Sequence, residues 1–343
     1  MRYAAPVGAV SGAVSVLLLA GCTGASDDGA ARTSSPVPSP TPAEGQMIEE
    51  TIAAPSLANN QLGDAAERDI IVYLPPSYAT STERYPVVYF LAGFQERIGA
   101  VRSHREALWS RMLEPGNREL IIVELDGSNR LGGNFYANSP VTGNAEDALT
   151  QDVVGYVDET YRTIPTASAR GLSGFSMGGS GTINVGLAHP DVFGALYANS
   201  PGLLHEDTGL AEMLADNGEW GAYGATFAPV PGADPPMLRI DPRAPLDGQD
   251  PAVVAAWESG YGNLRQKIAD YLAGADRLAE IRVAYGMADQ YTWIPTGSAW
   301  FVDLLEENDI PVSEHVFEGG HSVHPLFWES DLVDFFSAAL TVE

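Results

Sequence analysis

A chain of 343 residues with 45% hydrophobic content carries enough apolar material for one large core or two small ones. Its formal net charge of −27 argues against a basic patch that would hold nucleic acid or an anionic membrane surface, and it disfavours strongly anionic substrates. Cys22 is the single cysteine, so no internal disulfide can form and no thiol chemistry is expected elsewhere.

Met1-Arg2 opens an apolar run that continues to Ala20. It is too short and too rich in Gly, Ser and Pro to span a membrane comfortably, so residues 1–22 read as a secretory signal. Its end, Leu19-Ala20-Gly21-Cys22, resembles the lipobox of bacterial lipoproteins. That resemblance implies cleavage before Cys22, a lipid on that cysteine, and a protein exported and anchored to the outer face of the cell membrane. Residues 23–47 are rich in Ser, Pro, Thr, Ala and Gly without an apolar period, a composition that behaves as a tether. The folded domain is expected over 48–343.

Within that domain, Ile70–Leu74, Val87–Leu91, Leu120–Leu125, Gly171–Phe175, Ala195–Ala198, Val283–Tyr285 and Val312–Phe317 read as strands. Helix-length segments such as Val153–Tyr161 and Trp300–Asn308 lie between several of them. Such alternation predicts an α/β fold, a mostly parallel sheet with helices on both faces. The first two strands, joined by the turn-rich Pro75-Pro76-Ser77-Tyr78, are expected to run antiparallel. Residues from about 202 to 276 break the alternation with many Pro and Gly residues and the aromatics Trp220, Tyr223, Phe227, Trp257 and Tyr261. This stretch reads either as a surface excursion with its own small cluster or as an insertion walling a pocket over the catalytic end.

Gly174-Phe175-Ser176-Met177-Gly178 stands between a strand and a helical run ending near His189-Pro190. A strand turning sharply into a helix lifts a serine Oγ above the sheet, and the flanking glycines fit a turn too tight for side chains. A glycine-rich turn with a capping serine is the bland alternative. The strand–turn–helix–strand order favours a nucleophile at Ser176.

A serine hydroxyl needs a base to take its proton. Among six histidines, His321 stands behind Gly319-Gly320 on a loop directly after the last strand, and His324 follows as the reserve. A zinc site at His321 and His324 lacks a third ligand at motif spacing, so no metal or cofactor is expected. The acid that fixes the base is assigned to Asp289, in the loop after Tyr285-Gly286; Asp303 and Glu306, on a helix, are poorer candidates. Ser176, Asp289 and His321 follow one another in the chain order of α/β-hydrolases. The oxyanion of a tetrahedral intermediate needs two donors, assigned to the backbone N–H groups of Met177 and Phe94, the latter in the turn Ala92-Gly93-Phe94-Gln95.

Over most of residues 68–340 the chain resembles the "putative esterase" family of α/β-hydrolases, which includes esterase D, feruloyl esterases and the mycolyltransferases. The resemblance is carried by Asp126-Gly-Ser-Asn-Arg130, Asn134-Phe-Tyr-Ala-Asn-Ser-Pro140, the block Gly171–Gly181, His189-Pro-Asp-Val-Phe193, the acid loop at Asp289 and Gly319-Gly-His321. It implies a carboxylic ester hydrolase acting through Ser176, Asp289 and His321, with Phe94 and Met177 at the oxyanion positions. Many relatives carry His-Gly where this chain has Ala92-Gly93, a departure shared with the mycolyltransferases that leaves the acyl acceptor open. Asn134–Ser139 and Glu146-Asp147 are expected to brace the site, the alternative being that they help shape it. The readings to separate are a lipid-anchored serine esterase acting on a small or polymer-attached ester, an acyltransferase to a cell-surface acceptor, and a binding lipoprotein without catalysis.

Overall fold

Apolar strands that alternate between two cores set the architecture. The computed structural model describes residues 44–216, 220–234, 237 and 249–341; the leader, Cys22 and the tether as far as residue 43 lie outside the described residues. Its strands are β1 (Gln46–Ala53), β2 (Glu67–Leu74), β3 (Val87–Leu91), β4 (Ile121–Leu125), the short pair β5 (Asn138–Ser139) and β6 (Gly143–Asn144), β7 (Arg170–Phe175), β8 (Ala195–Asn199), β9 (Glu280–Gly286) and β10 (Val312–Phe317). Helices are α1 (Arg105–Met112), α2 (Ala145–Asp147), α3 (Val154–Thr160), α4 (Met177–Ala188), α5 (Gly209–Ala215), α6 (Gly221–Phe227), α7 (Pro251–Tyr261), α8 (Leu264–Ala273), α9 (Trp293–Glu307) and α10 (Leu332–Ala339).

Among the described residues, eight strands form one sheet in the order β1-β2-β4-β3-β7-β8-β9-β10. From β4 to β10 every pairing is parallel, while β2 runs antiparallel to both β1 and β4. All seven expected strands are present. Strands β2 and β3 do run antiparallel, but they are not paired: β4 inserts between them, parallel to β3, and β2 takes β4 as its antiparallel partner. In the eight-stranded sheet the strand that sequence reading left out is β1, which begins at Gln46 inside the segment assigned to the tether; the short pair β5 and β6 was left out as well. Only Ile52 of its eight residues is buried, so it shows no apolar run. Helix α9 starts seven residues before the expected Trp300, because Pro295 falls in its first turn, where a missing N–H costs no helical bond.

Successive strand residues point to opposite faces. Val87, Tyr89 and Leu91 join a core with residues of α4 and α9, whereas Val88 and Phe90 join a second core with residues of α1 and α10. Both faces are covered, as a parallel sheet requires. No helix among the described residues is long and apolar enough to cross a membrane.

One cation is built into this packing. Lys267, the only lysine in the sequence, lies on α8, and its Nζ donates to Gly260 O (2.6 Å) and to Asn184 Oδ1 on α4 (2.9 Å). Burial pushes its pKa down to about 7. The unfolded chain therefore binds a proton between about pH 7 and the ordinary lysine value that the folded chain does not, and stability rises with pH across that window. Against a Lys267→Met variant, the wild type should gain up to about 1.4 kcal/mol per pH unit between pH 7.5 and 9.5 in urea unfolding. Equal slopes for the two proteins would contradict this.

Candidate active site

The sheet delivers its functional groups from the carboxyl ends of neighbouring parallel strands. Strand β7 ends at Phe175, Ser176 takes φ 55° and ψ −116°, and α4 begins at Met177. A non-glycine residue in that conformation is strained by about 1–3 kcal/mol and must be held by its surroundings. The holding is visible: Ser176 N–H donates to Asn199 O on the adjacent β8 (2.9 Å). The glycines on either side have no room for a side chain. A Cβ on Gly174 would collide with the Gly178 carbonyl, and one on Gly178 with the Leu91 carbonyl of β3.

Facing the elbow, two loops bring in the other groups. His321, on the loop after β10, has Nε2 2.8 Å from Ser176 Oγ. Its Nδ1 is 2.7 Å from Asp289 Oδ2, on the loop after β9. Asp289 is 4% exposed, and its second oxygen accepts from Tyr291 N–H at 2.9 Å. An ionised carboxylate only accepts, so it draws the imidazole proton to Nδ1 and leaves Nε2 free to accept from the serine. The two loops are also joined to each other: Ala288 N–H donates to Gly319 O (2.8 Å) and His321 N–H to Gln290 Oε1 (3.4 Å). Phe175 and Tyr291 pack against the His321 ring, with centroids 4.9 and 5.1 Å away.

The three residues expected to act together are thus in hydrogen-bonding contact. Met177 opens α4, where backbone N–H groups lack helical acceptors and the helix dipole favours negative charge. Phe94 lies in the turn after β3. That turn is fixed by Gln95 N–H to Gly132 O (3.1 Å) and Gly93 N–H to Glu96 Oε2 (2.8 Å). The Tyr136 hydroxyl reaches over from the next loop to Ala92 O at 3.0 Å. Among the remaining candidates, His324 turns away from Ser176 to pair with Asp331 (2.6 Å), and Asp303 and Glu306 lie exposed on α9. Glu146, expected at the site itself, instead pairs with His189 (2.8 Å) at the end of α4 away from Ser176. The hydrogen bond to Glu146 raises the His189 pKa, against the opposing effect of burial.

A cavity of about 280 Å³ opens beside Ser176 and His321. The insertion contributes Trp220 and Tyr261 to its wall, the reading in which it shapes a pocket, and the start of α9 contributes Trp293 and Ile294. Phe135, within the Asn134–Ser139 segment expected at the site, lines the cavity, stacks on Phe94 (5.8 Å) and meets Tyr223 and Tyr261 edge-on. Phe135 and Tyr136 both have positive φ, a local geometry with no sequence signature in non-glycine residues. Sequence reasoning missed Asn199 and Ser200 at the end of β8. Asn199 Oδ1 accepts from His324 N–H (3.3 Å), and Ser200 Oγ donates to Ser322 O (2.7 Å). They tie the histidine loop to the strand that holds the elbow.

A mostly parallel eight-stranded sheet with a strained serine between a strand and a helix defines the α/β-hydrolase fold. The sequence profile of the family described as "Putative esterase" matches residues 64–338, and the chain belongs to that family. It is 27% identical over 287 residues to Esterase Rv1288 of Mycobacterium tuberculosis, an alignment covering 76% of this chain and 54% of that protein. The chain therefore spans about half the length of the curated relatives it matches. Its fold is shared with an S-formylglutathione hydrolase from Agrobacterium tumefaciens (TM-score 0.60, 17% identity, 88% of this chain and 98% of that one). It is shared equally with a ferulic acid esterase (TM-score 0.58, 19% identity, 87% and 99%).

Because Ser200 holds the histidine loop through one buried hydroxyl, its loss should loosen His321 without touching the serine. A Ser200→Ala variant is expected to lose roughly 0.5–1.5 kcal/mol of stability, measured by urea unfolding. Unchanged stability would deny the hydroxyl this anchoring role.

Proposed function

We propose that this protein is a serine esterase that hydrolyses carboxylic esters through an acyl-enzyme on Ser176. The observation that carries the reading is the continuous hydrogen-bonded chain from Asp289 through His321 to Ser176 Oγ, at 2.7 and 2.8 Å. Family membership and the esterase relatives support it. Ser176 Oγ attacks the ester carbonyl while His321 Nε2 takes its proton, and Asp289 stabilises the resulting imidazolium. The carbonyl oxygen becomes an oxyanion that accepts from the N–H groups of Met177 and Phe94. Collapse of this intermediate breaks the ester C–O bond, and His321 returns the proton to the departing alkoxide. Water, deprotonated by the same imidazole, then attacks the acyl-enzyme and releases the acid and the free serine.

The cavity of about 280 Å³ sits at the lower end of the range for small-molecule sites and has mostly aromatic walls. It suits a short acyl chain or a single aromatic ring better than a long fatty acid. Wild-type protein should hydrolyse p-nitrophenyl acetate and butyrate faster than the laurate, and should react with a fluorophosphonate probe. Ser176→Ala should abolish labelling and lower kcat by about 10⁶-fold, and Asp289→Asn by about 10⁴-fold. A Ser176→Ala protein with full activity would sink the reading, and a preference for the laurate would overturn the acyl-size part alone.

Export and lipid anchoring at Cys22 belong to the same proposal, supported by the Leu19-Ala20-Gly21-Cys22 sequence. In a lipoprotein-processing bacterial host the wild type should partition into detergent phase and incorporate labelled palmitate. A Cys22→Ala variant should do neither. Equal labelling of the two proteins would remove the anchor.

A further inference from the structure

Beneath the histidine loop, three side chains meet that the ester chemistry does not use. His315 comes from β10, the edge strand of the sheet. His324 comes from the loop itself, three residues past His321. Asp331 closes the π-helical turn Phe327–Asp331 that leads into α10. One nitrogen from each imidazole and one carboxylate oxygen lie within 4.8 Å of one another. Asp331 Oδ2 is 2.6 Å from His324 Nδ1 and 3.5 Å from His315 Nδ1. All three side chains are sheltered, at 33%, 17% and 14% exposure for His315, His324 and Asp331.

A second observation points to a ligand. His315 Nδ1 is shut away from solvent and makes no hydrogen bond among the described residues, although it faces the Asp331 carboxylate. A buried ring nitrogen with no well-formed hydrogen bond is unfavourable. A nitrogen lone pair facing a carboxylate oxygen is an arrangement that a cation between them would satisfy. We propose that His315, His324 and Asp331 form a binding site for a first-row transition-metal dication such as Zn²⁺.

The donor set fits that chemistry. Two imidazoles and a carboxylate suit zinc and its neighbours better than calcium or magnesium, and they leave a fourth position for water. A tetrahedral zinc with bonds of about 2.0–2.2 Å separates its ligand atoms by about 3.3–3.6 Å. The His315–Asp331 spacing already matches, and the His324 ring needs to withdraw from Asp331 by under ~1 Å. The Tyr197 hydroxyl, 3.4 Å from Asp331 Oδ2, supplies an outer partner that orients the carboxylate. Arg282, the cation that acts on His315 from β9, is itself paired with Glu280 (3.5 Å) and lies over the Phe335 ring. The strongly acidic chain raises the local concentration of any dication.

Occupancy would join three segments, the edge strand, the loop that carries His321 and the start of α10. The metal takes no part in ester cleavage; it fixes the loop from behind. The site's existence does not depend on the role given to Ser176.

The test uses tag-free full-length protein, stripped with a chelator and titrated with Zn²⁺ by calorimetry, with thermal unfolding followed in parallel. One saturable site per chain and a raised Tm are expected. His315→Ala and Asp331→Asn should each weaken zinc binding at least about tenfold. His321→Ala should leave it in place. X-ray absorption of the zinc-loaded wild type should show imidazole ligands, a readout that holds even if a variant misfolds. No saturable zinc uptake overturns the proposal, as does a site that survives both ligand substitutions or disappears only with His321.

Discussion

The backbone of Ser176 is the constraint on which the rest of the site depends. Its positive φ aims Oγ out of the sheet, and an isolated peptide would relax out of that conformation. Three neighbours prevent relaxation: the Asn199 carbonyl that receives the Ser176 N–H, and the backbones of β3 and α4 that press on Gly178 and Gly174. The glycines permit the approach, and the parallel neighbours β3 and β8 enforce it. Strain at one residue is thereby balanced by packing across three strands, and Met177 N–H is fixed at the helix start as a consequence.

The parallel sheet explains why residues distant in sequence can meet. Strands β7, β9 and β10 end on the same edge, so the loops after them open to one side. Strand β8 lies between the serine and the acid loop, and its last residues are the mechanical link. Asn199 touches both the elbow and the histidine loop, while Ser200 bonds Ala284 O on β9 (2.7 Å) and Ser322 O on the histidine loop. The hydrogen-bonded chain from Asp289 to Ser176 is therefore held from below as well as along its own length.

What could be read from the sequence was whatever has a local physical signature. Seven strands are apolar runs, and Ser176 sits between glycines that only a tight turn explains. Asp289 and His321 follow strands on glycine-bearing loops, so chain order sufficed to select them. Strand β1 was hidden because an edge strand with one buried residue has no apolar run to detect. The turn-rich link reveals that β2 and β3 run antiparallel, but no local feature reveals that β4 comes in between. Asn199 and Ser200 were invisible for a different reason: their roles come from what the fold brings beside them.

The same limit applies to His324. Sequence spacing set it beside His321 and found no third ligand, which disposed of a metal at that pair. The fold separates the two rings instead. One meets Ser176 and Asp289, and the other meets Asp331 at the entry to α10 beside His315 of β10. A loop of glycines and two histidines thus has its two rings committed to different partners. Loops carry function because a rigid scaffold positions them, and a short glycine-rich loop needs anchors to be so positioned. Here those anchors are the bonds to Asn199 and Ser200 and the His324–Asp331 pair. The position of His321 is consequently a property of β8, β10 and the entry to α10 taken together.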